Sequence, residues 1–431
     1  MKTTNFACMK KNVKWMAIAL MMATITVGCE SENNSVVEST PSDPVTNEDN
    51  EHQYIMLGSG QMEMVNESND FAFNLFRQVS SNKSEIVSPI SITYALGMLN
   101  NGAAGETLEQ INKVLGFDKT GADGINEFCQ KMLTEAPKLD KLTKVMIANN
   151  IYFNSDKNYV LYPDFVSKAK RYYEADVESR SFTDGQTMDV INQWASDHTE
   201  KMIDKVLDEN TFNPSAVSYL LNAIYFKGTW TAKFETGNTM DETFHGYTTE
   251  TTVPMMHQNN TFNYTETTDC QALRLPYGNG AYAITILLPK EGKTISDVLN
   301  TLTTNIWNNY QMMAEAIVDV KLPRFESKTD INLNTIMAKL GMPNAFDPNL
   351  ADFPNFCPKE TYIGLMKQVA RIKLNEEGTE AAAVTVIESN DKVSIDPEPM
   401  YVDFHATRPF LYVISEQSTG AIFFIGQYMG D

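Results

Sequence analysis

The sequence predicts an α+β fold built on large, mostly antiparallel sheets, and three observations carry that expectation. Apolar residues recur at helical spacing through the first half of the chain. Near-continuous apolar runs follow, which suits strands covered on both faces. The runs are joined as hairpins and not as a regular strand–helix–strand alternation, so helices and strands segregate.

Taken in chain order, Asn69-Asp70 precedes FAFNLFRQV, where Phe71, Leu75, Phe76 and Val79 fall on one helical face after a good cap. Ser88-Pro89-Ile90-Ser91 opens ITYALGMLNNGAAG, a second helix for which Ser91 can serve as cap. Met188 to Ile203 forms a third, with Val190, Ile191, Trp194 and Met202 apolar. Strands are expected at KVMIANNIYF, SYLLNAIYFKGTW, AYAITILLP, AIVDVKLPRF, PFLYVISE and AIFFIGQYM. Gly278-Asn279-Gly280 reads as a hairpin turn between two of them. No Pro/Ser/Gly-rich seam and no repeat interrupts the body, so residues 61–431 are expected to be one domain.

The start of the chain is of another kind. Lys2, Lys10, Lys11 and Lys14 precede an apolar run of 13 residues, Trp15–Val27. A spanning helix needs roughly 20 apolar residues, so the run matches a secretory signal. It ends in Thr26-Val27-Gly28-Cys29, which resembles the lipobox of bacterial lipoproteins; that resemblance implies lipidation of Cys29 and residence at an outer membrane, cell surface or periplasmic face. Thr26 replaces the usual leucine, which leaves ordinary signal cleavage open. Residues 29–60 then read as a tether: Cys29–Glu51 holds seven acids, no Lys or Arg and almost no large apolar side chain, too little to offset chain entropy. Loss of the four leader lysines takes the formal charge from −21 to −25, a field unsuited to nucleic acid or bare anionic membrane. Cys129, Cys270 and Cys357 are odd in number and widely spaced, which argues for buried thiols and against a disulfide framework.

Catalytic signatures are missing. His52, His198, His245, His257 and His405 stand in unrelated sequence surroundings, without HExxH or zinc-type His–Cys spacing. There is no GxSxG elbow. Glu376-Glu377 are adjacent acids that an extended segment would point to opposite faces. Neither an enzyme nor a metal or other cofactor is expected.

Five blocks in order resemble the serpin family of protease inhibitors: SPISITYALGMLNNGAAGET (88–107), INQWASDHTEKMI (191–203), LLNAIYFKGTWTAKF (220–234), KLPRFESKTDINLNTIMAKLGMPNAF (321–346) and FHATRPFLYVISEQSTGAIFFIGQ (404–427). The resemblance covers residues about 62–431 and implies about nine helices around three mostly antiparallel sheets, with an exposed reactive-centre loop near residues 376–400. It carries over family positions in the region that opens to admit the loop: Ser88, Ser91, Asn222 and Trp230, with Gln368 where the family has histidine. Glutamine donates and accepts, so a buried network there can form without a titrating member.

Within EEGTEAAAVTVIESNDKV the resemblance implies a loop that, once cut, enters the large sheet as a new strand. Its hinge is Glu377, Gly378, Thr379, Glu380, Ala381, Ala382 and Ala383. Side chains alternate along a strand, so Thr379, Ala381, Ala383, Thr385 and Ile387 would face the protein, all uncharged. Family spacing places the reactive bond at Lys392-Val393, which implies trypsin-like serine proteases or basic-specific cysteine proteases as covalent partners of a monomer. No heparin activation is expected, because Thr120–Lys138 offers little positive charge. The competing expectation is a non-inhibitory serpin acting as a binding or structural module; such members tend to carry bulky or charged hinges, and this hinge is small and neutral on its inward face.

Overall fold

The computed structural model describes residues 50–379 and 400–431. Among these residues lie nine α-helices and fifteen strands. The helices are α1 (Ser59–Val79), α2 (Pro89–Asn100), α3 (Gly105–Leu115), α4 (Ala122–Glu135) and α5 (Pro163–Tyr173). After them come α6 (Thr187–Asp197), α7 (Ile295–Thr301), α8 (Thr304–Tyr310) and α9 (Asn334–Leu340). The strands begin with β1 (Glu85–Val87), β2 (Thr143–Asn154), β3 (Asp176–Arg180), β4 (Ser218–Thr229) and β5 (Met240–His245). Next are β6 (Glu250–Glu266), β7 (Cys270–Tyr277), β8 (Tyr282–Pro289), β9 (Ala314–Pro323) and β10 (Phe325–Asn332). The last are β11 (Leu365–Asn375), β12 (Gly378–Thr379), β13 (Tyr401–His405), β14 (Phe410–Glu416) and β15 (Ile422–Tyr428).

Two hydrogen-bonded ladders organise them. Six strands run β10-β11-β12-β4-β2-β3, and nine run β1-β15-β14-β8-β7-β6-β9-β13 with β5 paired to β6. Most pairs are antiparallel; β2–β3, β4–β11 and β9–β13 are parallel. The 17 residues of β6 pair with β5 up to Met255, with β9 from Met255 to Tyr264 and with β7 from Asn263 onward. That one strand joins two of the three expected sheets into a continuous ladder.

The apolar runs form the core. Every residue of β8, β14 and β15 is buried, as strands covered on both faces require. Helix α2 is likewise buried at all positions and is wrapped by α1, α3–α5 and both sheets. A smaller cluster covers the other face of the six-stranded sheet, where Ile191, Trp194 and Ala195 of α6 and Ile203, Val206 and Leu207 beyond it pack on Tyr219, Leu221, Ala223 and Val369.

Several local expectations change. Helix α1 starts at Ser59, so Asn69 and Asp70 lie within it and serve tertiary contacts in place of capping. Asn69 binds Gly420 O and the Ile422 amide, each at 3.0 Å, and Asp70 accepts from Thr304. Ser88, not Ser91, is the N-cap residue of α2. Third, the tether expected through residue 60 ends earlier, because Asn50 bonds Asp140 at 2.7 Å, His52 bonds Asn279 O at 3.0 Å and Ile55 is buried. Cys129, Cys270 and Cys357 are free and buried, and Gly278–Gly280 forms the β7–β8 turn with both glycines at positive φ.

Candidate functional site: the seam between strands β4 and β11

Strands β4 and β11 pair directly only from Leu365–Val369 against Tyr219–Ala223. Beyond Val369 the two separate. Among the described residues the gap is bridged only at its far end, where β12 lies antiparallel to both. Thr379 is opposite Leu374 and Gly228 there, and Gly378 is opposite Asn375 and Thr229. A two-residue strand is thus wedged into a parallel pair, at the point where the chain leaves the described body.

Local chemistry explains why the chain turns back here. Gly378 has φ +141°, and a Cβ at that position would stand 2.0 Å from the Gly228 carbonyl oxygen. Only glycine permits both that angle and that approach. Gly228 is similarly constrained, since its own Cβ would lie 2.8 Å from the Tyr277 ring. The turn is pinned by Trp230, whose amide donates to Glu377 O and whose indole donates to Asn375 O, each at 2.9 Å. The Trp230 ring stacks on Tyr277 with centroids 4.6 Å apart and planes 8° apart.

Thr379 is fully buried, and its hydroxyl lies 2.7 Å from the Tyr277 hydroxyl. Burial pushes the Tyr277 phenol well up, so it stays neutral and available for that bond. The two hinge acids separate, as adjacent extended residues do. Glu377 pairs with Lys233 at 2.6 Å. Glu376 is buried, which alone would raise its pKa, but hydrogen bonds from Arg324 and Thr239 outweigh burial and hold it below the usual carboxylate range.

Below the gap, a polar cluster straddles the closed half of the seam. Gln368 of β11 stands opposite Asn222 of β4. Its amide nitrogen lies 2.9 Å from Asn222 Oδ1 and from Ser91 Oγ, and 3.0 Å from Ser88 O; its oxygen accepts from the Ser88 amide at 3.0 Å. Ser91 donates to Asn222 Oδ1 at 2.6 Å, and Asn222 donates onward to Asn149 at 2.9 Å. Each of these side chains is buried. A strand passing this point would have to part Gln368 from Asn222 and slide beneath the α6 cluster at Val369 and Ala223.

The residues expected to matter therefore gather at two levels of one seam: Glu377, Gly378, Thr379 and Trp230 above, Ser88, Ser91, Asn222 and Gln368 below. Glu380, Ala381, Ala382, Ala383, Lys392, Val393 and Cys29 lie outside the described residues. Sequence reasoning missed Tyr277, Arg324, Thr239, Lys233 and Asn149, which no local pattern marks. It also missed a grouping elsewhere: His257, Asp319, Asp403 and His405, on three neighbouring strands.

Comparison with known proteins fits this geometry. The family model described as "Serpin (serine protease inhibitor)" matches residues 66–430. Mouse serpin B11 is 31% identical over 386 residues, covering 84% of this chain and 97% of its own. A native-state structure of the thermophilic serpin tengpin superposes with a TM-score of 0.78 at 27% identity, covering 88% of this chain and 96% of that one. Human thyroxine-binding globulin in complex with its hormone gives 0.77 at 26% identity, over 86% and 98% of the two chains.

Proposed function

The chain belongs to the serpin family, and from that premise we propose that it is an irreversible, suicide-substrate inhibitor of proteases. A trypsin-like serine protease or a basic-specific cysteine protease attacks Lys392 and forms an acyl-enzyme. The freed loop enters the seam as a full strand before water releases the enzyme. Insertion over roughly 14 residues at ~3.3 Å each carries the protease about 45 Å. The observation that supports this most directly is β12: hinge residues Gly378 and Thr379 lie between β4 and β11, with Thr379 facing inward. Insertion then extends an existing register and needs no new one. The driving free energy would be the strain of an incompletely filled sheet, released as the gap closes.

The protein acts in this reading as a consumed reagent and not a catalyst. It needs no cofactor and works as a monomer anchored through lipid on Cys29, exported to the cell surface or periplasmic face. A second reading is a binding module without inhibition, suggested by the likeness to a hormone-carrying globulin. Incubation with trypsin followed by a denaturing gel separates the two. A covalent band at the summed mass, together with cleaved protein that outlasts the intact form on heating, is expected. Complete cleavage that leaves trypsin fully active would eliminate inhibition and favour the carrier reading.

A further inference from the structure

Among the described residues, strand β13 is the edge of the nine-stranded sheet and pairs only with β9. It begins just after residues 380–399, so it anchors their C-terminal end. In its register Asp403 stands opposite Asp319, and His405 opposite Lys321. Across β9, His257 of β6 also stands opposite Lys321. Strand alternation puts His257, Asp319, Asp403 and His405 on one face.

The side chains converge. Ligand atoms of Asp319, Asp403 and His405 all lie within 4.8 Å of one another. His257 Nε2 is hydrogen-bonded to Asp319 Oδ1. His405 Nε2 stands 3.5 Å from Asp319 Oδ2, shielded from solvent and without a hydrogen-bond partner among the described residues. Lys321, the nearest lysine on that face, is directed away, with its ammonium on both oxygens of Glu242 at 2.7 and 3.0 Å.

We propose that Asp319, Asp403 and His405 bind one divalent transition-metal ion, Zn2+ first among candidates, which clips edge strand β13 to β9, while His257 of β6 orients Asp319 through their hydrogen bond. One imidazole with two carboxylates suits zinc at about 2.0–2.2 Å per ligand, and the imidazole selects against Mg2+ and Ca2+. The ion would add a second tie to the single parallel ladder between β13 and β9.

The test is a calorimetric titration of Zn2+ into untagged, chelator-stripped protein in excess Mg2+. One equivalent is expected to bind. His257→Gln and His405→Gln should each weaken binding by at least about tenfold, since even indirect partners of a metal site are worth that much; circular dichroism checks that both variants fold. Hydrogen exchange supplies the second readout, because the Ala406 amide donates to Lys321 O at 2.8 Å at the end of β13 and should exchange more slowly with Zn2+ present. No stoichiometric binding, or binding indifferent to both histidines, overturns the site. Binding without added protection at Ala406 overturns the clip. The trypsin gel, run with and without chelator, tests inhibition separately, because covalent trapping needs no ion.

Discussion

The hydroxyl of Thr379 lies 2.7 Å from that of Tyr277, in a site neither side chain shares with solvent. Thr379 is the second residue of β12, and Tyr277 ends β7 in the other sheet. The entering hinge is thereby tied to a ring that Trp230 already stacks upon. The first inward-facing position of the loop sits in a polar socket made by one neutral hydroxyl.

Thr379→Arg is expected to turn the protein into a substrate. The guanidinium would enter a buried site with only the Tyr277 hydroxyl to meet it, and an unpaired buried charge costs several kcal/mol. Trypsin should cleave the variant without leaving a covalent band. Thr379→Val keeps the volume and loses one hydrogen bond, roughly 1–3 kcal/mol with Tyr277 left unpaired, and should still trap protease. Stoichiometric trapping by the arginine variant would contradict the inward burial of the hinge.

Gly378→Ala tests the turn itself. The added Cβ would meet backbone oxygen at 2.0 Å at a φ of +141°, so β12 must leave the seam. Because the change lies at the end of the described body, the fold should persist, with a thermal midpoint close to that of the parent. The number of inhibitor molecules consumed per protease inactivated should rise severalfold. An unchanged ratio would mean that the wedge is irrelevant to trapping.

The polar cluster below is built without a titrating side chain, because Gln368 occupies the centre of the Ser88–Ser91–Asn222 network. Gln368→Ala would strand buried partners at about 1–3 kcal/mol and loosen the closed half of the seam. Faster spontaneous loss of inhibitory capacity at 37 °C, read by residual trypsin trapping over time, is the expected outcome. Retention at the parental rate would remove the network from any role in holding the seam shut.

Glu376 sets a pH window. Its folded pKa is depressed by Arg324 and Thr239 despite burial, so the unfolded chain binds the proton more readily. The stabilisation is therefore present above the ordinary glutamate value of about 4.3 and is lost as pH falls through the depressed folded value. Glu376→Gln should be less stable to urea than the parent at pH 7, with the difference shrinking toward zero in strong acid. A difference constant from pH 7 to pH 3 would show that the ion pair contributes nothing.

Much of the fold was legible in the chain. Alternation and apolar runs located β2, β4, β8, β14 and β15 nearly to their ends, because a strand buried on both faces leaves no room for polar residues. Strand β6 was missed, since its 17 residues mix Pro254, His257, Gln258 and three asparagines with scattered apolar positions. One edge of that strand pairs with β9, and the other pairs with β5 and then with β7. Asn69 and Asp70 misled for a related reason: they have cap chemistry, but Gly420, Ile422 and Thr304 claim it through space.

The chain by itself determined the conformational freedoms: a glycine where φ must be positive, a small neutral inward face at the hinge, and a glutamine able to both donate and accept at the seam. Tertiary structure alone decided the partnerships. Thr379 meets Tyr277 across 102 positions, and Asp319 meets His257 across 62. Periodicity and propensity act over a turn or a pleat. Which distant strands become neighbours, and in which register, depends on the packing of the whole molecule.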